Sequence, residues 1–239
     1  MLKLYRSFLN NIIVNFLNKP GLRYRLIVPL SDVLSKNYDE EVLKKSFDFV
    51  SNSGVEGDYL EFGVWKGRSF SKAFNIWKYF FVRKGHLKNL RFFAFDSFEG
   101  LPDSSGEFQK GQYYCTEENF LSNIKNNGVD MGRVGIIPGW FDRSLTEETK
   151  KKHHLERVSV AFIDCDLYES TIPVLNFLTD IVVDGTILIF DDWFCFKGDP
   201  NKGEQRAFRE WLSKNSTITA TEWQKVGWKS AAFILHKNG

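Results

Sequence analysis

The 239-residue chain has little cysteine, histidine, proline or methionine, and almost no net charge. Its three cysteines, Cys115, Cys165 and Cys195, are too few and too far apart for a disulfide framework. No Cys-x-x-Cys pair occurs, so a zinc site is not expected, and the thiols read as reduced and buried. None of the four histidines (His86, His153, His154, His236) stands in His-Glu-x-x-His spacing. With 32 basic residues against 30 acidic ones, the chain lacks the basic excess that a nucleic-acid partner demands. No apolar run is long enough to span a membrane, and there is no internal repeat or low-complexity tract. What remains is 43% hydrophobic and 26% charged, the composition of a globular protein, and the length suits one α/β or α+β domain with short extensions.

The first 50 residues stand apart. Leu2, Leu4, Tyr5, Phe8, Leu9, Ile12, Ile13, Phe16 and Leu17 recur at helical spacing and form one apolar stripe, which Pro20–Gly21 ends. Arg6, Asn10, Asn11 and Asn15 break the run, against a signal peptide. Such a helix covers the domain or a partner subunit; the basic residues Lys3, Arg6, Lys19, Arg23 and Arg25 leave a membrane-surface helix as the alternative. Residues 1–50 are therefore expected to be a helical extension, acting as a lid or oligomer contact, ahead of the main domain at 51–239.

Within the main domain, strands are expected at 58–64, 91–95, 133–138, 158–163 and 186–190, with helices near 69–81, 120–126, 172–182 and 203–213. A further helix is expected at 39–50, and 217–224 with 230–236 read as a closing antiparallel pair. Strands apolar on both faces that alternate with helices describe a mostly parallel sheet covered on both sides. Ligands bind such sheets beyond the carboxyl ends of the strands, and there the chemistry-bearing residues fall. Glu61-Phe-Gly63-Val-Trp-Lys-Gly67-Arg-Ser69 joins the first strand to its helix. Its glycines allow close backbone approach, and the helix N-terminus offers N–H groups to a carboxylate or phosphate. Gly-x-Gly-x-x-Gly spacing is missing, and Glu61 would repel a pyrophosphate while attracting an amino group, so a zwitterionic ligand is favoured over NAD. Asp96, at the end of the second strand, suits ribose hydroxyls. Asp164, Asp191 and Asp192 end the fourth and fifth strands; three unpaired carboxylates converging there repel, and an oxygen-preferring divalent cation resolves the repulsion.

Five segments together resemble the macrocin O-methyltransferase (TylF-type) family. They are Glu61–Ser69, Phe95-Asp-Ser-Phe-Glu-Gly-Leu-Pro102, Gly139-Trp-Phe-Asp-Arg-Ser-Leu145, Ile163-Asp-Cys-Asp-Leu-Tyr-Glu-Ser-Thr171 and Phe190-Asp-Asp-Trp193, and they appear in family order across about residues 54–236. The resemblance implies a Rossmann-like class I methyltransferase: a seven-stranded, mostly parallel sheet with an antiparallel last strand. It implies an S-adenosylmethionine-dependent O-methyltransferase acting on hydroxyls of sugars or glycosylated small molecules with Mg2+ or another divalent cation. It assigns Glu61, Gly63, Gly67 and Ser69 to the methionine end, Asp96 and Ser97 to the ribose, Trp140 to the adenine, and Asp164, Asp191 and Asp192 to the metal. Two positions depart from the family pattern: Cys165 replaces a glycine, and Trp193 follows the aspartate pair where Tyr or Phe is usual.

Asp164 is placed to accept the proton of the acceptor hydroxyl, with Asp166 or a histidine as alternatives. Trp140, Tyr168 and Trp193 are candidates to stack on a sugar face, and the polar segment 99–118 is a candidate lid. A phenolic or amine acceptor, and a cofactor-binding protein without catalysis, are the rival readings. A cytoplasmic homo-oligomer without nucleic-acid partner is expected, with membrane contact confined to the first helix.

Overall fold

In the computed structural model, residues 38–237 are described. The apolar stripe at 2–17 lies outside the described residues. Helix α1 (Tyr38–Ser53) opens the described part, and Val42, Leu43, Phe47 and Val50 form its buried stripe. These four join the same core cluster as Tyr59 and Phe92, so the compact unit starts at Asp39, ahead of the boundary expected at residue 51. Strand and helix then alternate: β1 (Asp58–Phe62), α2 (Arg68–Ile76), β2 (Phe92–Asp96), α3 (Glu117–Asn126), β3 (Val134–Pro138), α4 (Phe141–Ser144), α5 (Glu147–His153), β4 (Val158–Ile163), α6 (Tyr168–Leu178), β5 (Val182–Phe190), α7 (Gly203–Lys214), β6 (Ile218–Val226) and β7 (Ser230–Lys237). A π-helical turn, Trp77–Phe81, extends α2. It buries Trp77 and Phe81, and the Trp77 indole N–H donates to the Leu87 carbonyl at 2.7 Å.

The seven strands form one sheet in the order β3-β2-β1-β4-β5-β7-β6. The four pairings from β3 to β5 are parallel, and β7 runs antiparallel to both β5 and β6. β1 and β4 are buried at every residue, and apart from Asp58, Glu61 and Ser159 they are apolar on both faces. One face of the sheet carries Tyr59, Phe92, Phe162 and Ile189 against α1 and α2; the other carries Leu60, Phe62, Phe95, Ile163 and Phe190 against α6 and α7.

Two helices, α4 and α5, are absent from the sequence reading. α5 is Glu-Glu-Thr-Lys-Lys-Lys-His and buries only Lys150, so it has no apolar period to detect. It forms because Thr146 caps it, accepting from the Thr149 N–H, and because acidic residues open it and basic ones close it. The expected helix at 172–182 is α6, which begins at Tyr168, about one turn before Ile172, held by the Thr171 N–H to Leu167 carbonyl bond at 3.0 Å.

The Phe92 ring lies 5.3 Å from Tyr59, 5.1 Å from Phe74 and 5.5 Å from Trp77. Phe92→Ala should cost about 3–5 kcal/mol in urea unfolding, whereas Phe80→Ala, at a ring 54% exposed, should stay within about 0.5 kcal/mol.

Candidate functional site

The parallel register decides which residues meet. Phe62 is level with Phe95 and Ile163, and Ile163 with Phe190. One residue further on, the ladder continues through loop residues: the Gly63 N–H bonds the Phe95 carbonyl, Asp164 bonds Phe62, and Asp191 bonds Ile163, each at 2.9 Å. Gly139 N–H bonds Asp96 at the same distance. Glycine turn, Asp96, Asp164 and Asp191 thus stand in one row along the carboxyl edge of the sheet.

The turn after β1 requires its glycines. Gly63 has φ +84°, and a Cβ there would be driven into the Asp164 carbonyl oxygen; Gly67 has φ +76°, and a Cβ would meet Ile124 at 2.5 Å. Gly67 starts α2 with no side-chain cap, so the first N–H groups of that helix have no side-chain partner. Glu61 is fully buried on β1. Its Oε1 accepts from the Ser69 hydroxyl and its Oε2 from the Tyr59 hydroxyl, both at 2.5 Å. Burial pushes the Glu61 carboxyl up to about 8, against the opposing effect of these two hydrogen bonds. Tyr59, which the sequence reading did not single out, is therefore part of the site.

Asp96 accepts from the Val64 and Trp65 N–H groups through Oδ2, at 2.8 and 3.0 Å, and from Phe98 N–H through Oδ1 at 2.7 Å. The residue expected to meet ribose thus clamps the glycine turn to β2. Ser97 donates to the Gly100 carbonyl and accepts from Glu99 N–H, the bonds of a tight turn. Trp140 follows β3 beside this edge and begins α4.

At the ends of β4 and β5 the acids crowd. Oxygens of Asp164, Asp166 and Asp192 lie within 4.8 Å of one another. Asp166 joins the group through a left-handed backbone, φ +59°. Asp191, expected among the metal residues, accepts here from Lys229 Nζ at 2.6 Å and from the Ser230 hydroxyl at 2.8 Å. The same ammonium reaches Asp192 Oδ1 at 2.8 Å. Asp192 Oδ2 has no partner although the residue is 3% exposed. Glu204, at the start of α7, accepts the Asp192 N–H at 3.0 Å and leaves its own Oε1 without a partner. Burial, then the charges of Asp191 and Asp192, raise the Asp164 carboxyl; burial and Asp192 push Asp166 up to about 9. Burial alone would lower the Lys229 ammonium, but Asp191, Asp164 and Asp192 outweigh it and hold it protonated. Lys229 and Glu204 escaped the sequence reading.

Residues 97–116 cross this edge. Phe108 is buried with Leu167 and Cys195, and Glu107 accepts from the Phe196 N–H at 2.8 Å. Tyr113 meets Trp65 edge to face, centroids 5.5 Å apart, and both rings stay about two-fifths exposed, 39% and 40%. These two supply the exposed aromatic wall. Trp193, expected where the acceptor enters, packs against Phe190, Phe208 and Phe233, and the Tyr168 hydroxyl donates to Glu210 on α7. Trp65, Phe98, Tyr113, Asp166, Phe196 and Lys197 all have positive φ and all sit on loops beyond the carboxyl ends of strands. Strain held by surrounding contacts gathers at working sites.

A carboxyl that titrates higher in the folded chain stabilises below its unfolded value of about 4.5, and that stability is lost as pH rises through about 8. Glu61→Gln should therefore melt progressively higher than the parent between pH 5 and pH 9. The difference should grow by about 2 °C or more; melting curves that stay parallel across that range would show Glu61 ionised throughout.

The sequence profile of the macrocin O-methyltransferase (TylF) family matches residues 39–230. Demethyldecarbamoylnovobiocin O-methyltransferase of Streptomyces niveus is 27% identical over 167 residues, 65% of this chain and 60% of the relative. The 8-demethyl-8-(2,3-dimethoxy-alpha-L-rhamnosyl)-tetracenomycin-C 4'-O-methyltransferase of Streptomyces olivaceus is 29% identical over 165 residues, 63% of this chain and 58% of the relative. The chain spans about three-fifths of the length of these two relatives. Among solved structures, the O-methyltransferase NovP superposes with a TM-score of 0.66 at 23% identity, over 82% of this chain and 78% of NovP, a likeness of fold. The profile covers most of the chain and includes each of the strand-end segments that build the carboxyl edge: the chain belongs to the macrocin O-methyltransferase (TylF) family.

Proposed function

We propose that the protein transfers a methyl group from S-adenosylmethionine to a hydroxyl of a sugar or glycosylated small molecule, with a divalent cation held at the carboxylate cluster. The observation that carries this reading is the row along the sheet edge, where the glycine turn with Glu61 and Asp96 stands directly beside Asp164, Asp166, Asp191 and Asp192. The tetracenomycin relative, named for a rhamnosyl-bearing substrate, supports a sugar acceptor.

The residues suit both groups. The uncapped start of α2 suits the methionine carboxylate, with Gly63 and Gly67 keeping the backbone close. Glu61 suits the amino group: a positive charge beside it would favour its ionised form. Asp164, Asp191 and Asp192 would hold the cation, and the unpartnered buried Oδ2 of Asp192 is the vacancy in hydrogen bonding that a cation satisfies. All-oxygen donors suit Mg2+ or Mn2+. When bound, S-adenosylmethionine supplies the methyl group and the cation supplies charge that orients and acidifies the acceptor hydroxyl.

The chain's own groups do the rest. Asp164 lies between the glycine turn and the acid cluster, and takes the hydroxyl proton in this reading; Asp166 is the second carboxylate within reach. Trp65 and Tyr113 offer ring faces and edges for an apolar sugar surface and shield the transfer from water. The loop 97–116, anchored by Phe108 and Glu107, carries Tyr113 into that position.

Calorimetric titration should show S-adenosylmethionine binding to the protein and to Asp192→Asn, with turnover of a sugar acceptor in the variant down by about 10²-fold or more. No binding to either protein, or preference for NAD+, would sink the proposal. Trp65→Ala and Tyr113→Ala should raise the acceptor KM several-fold with little change in cofactor affinity. Asp166→Asn with metal binding intact but turnover abolished would move the proton-accepting role from Asp164 to Asp166.

A further inference from the structure

Among the described residues, Lys229 is the one component of the cluster that brings positive charge, and it arrives from a distant part of the chain. It stands in the β6–β7 turn, and its carbonyl accepts from the Phe194 N–H at 2.7 Å, which ties the turn to the segment after β5. Ser230, its neighbour, donates to both the backbone and the side chain of Asp191. The lysine is thus aimed by two anchors, and its ammonium sits 2.6 Å from Asp191 and 2.8 Å from Asp192. Both carboxylates are assigned to the cation in the functional reading above, on which the present inference rests.

An ammonium and a divalent cation cannot both lie at hydrogen-bonding or coordination distance from the same two carboxylates without strong mutual repulsion. We propose that Lys229 is a built-in counter-ion that occupies the metal's place in the metal-free protein and is displaced when the metal binds. It keeps Asp191 and Asp192 folded beneath the surface without metal, and it sets how tightly metal is held. Asp164 and Asp166 keep oxygens within 4.8 Å of Asp192 and stay available to capture the incoming ion. The side chain is 33% exposed, so it has a path to solvent when it leaves.

Three measurements on the full chain test this. Titrating Mg2+ or Mn2+ calorimetrically into Lys229→Met should show binding about tenfold tighter or more than in the parent, because the competing charge is gone. The metal-free variant should melt lower than the parent and gain more from added Mg2+. Should the variant not fold without metal, the parent protein answers alone. Acylation of lysines read by mass spectrometry should show Lys229 reacting several-fold faster at saturating Mg2+, with Lys45 and Lys225 unchanged. Equal metal affinity in parent and variant, or Lys229 labelling unmoved while calorimetry records bound metal, overturns the displacement. Absence of a binding isotherm in both proteins overturns the metal reading itself, and with it the inference.

Discussion

Five carboxylates, those of Asp164, Asp166, Asp191, Asp192 and Glu204, are drawn together beneath one edge of the sheet, and the cost of burying their charge governs the arrangement around them. Each feature nearby reduces that cost. Lys229 and Ser230 bond Asp191; the Asp192 backbone N–H bonds Glu204; Cys195 Sγ lies 3.3 Å from Asp192 Oδ1. Burial raises several of the acids so that protons share the load. Such crowding is a poor way to stabilise a fold and a good way to hold a cation, which is the physical ground for reading a reaction into the site.

The glycine-turn side of the edge follows a different logic. Glu61 is satisfied by two hydroxyls, and Asp96 accepts backbone N–H bonds that fix the turn at Val64 and Trp65. The turn is therefore shaped by the protein alone. Gly63 welds the two sides together: its missing side chain is the space taken by the Asp164 carbonyl, so the glycine turn and the first acid of the cluster share one contact.

Much of this was legible in the chain itself. Both-face-apolar strands announce a parallel sheet, and an acid or glycine at the end of each announces the ligand edge; β4 and the starts of β6 and β7 fall within a residue of where the pattern puts them. What escaped had no local signature. α5 is held by caps and charge rather than an apolar stripe. Lys229 lies 37 residues after Asp192, in a turn whose pairing depends on β7 inserting between β5 and β6. Asp166 joins the cluster through a left-handed backbone, and Trp193 packs against three phenylalanine rings.

The hairpin that carries Lys229 is the last element of the sheet in chain order, yet its turn neutralises the centre. Any partly folded state in which β1 to β5 have paired while residues 218–237 are still unattached holds its acids together with no ammonium beside them. The repulsion then works against closure of the parallel core. Docking of the hairpin is thus more than the addition of two edge strands: it is the step that makes the centre electrically tolerable, and during synthesis the centre waits for the ribosome to deliver it.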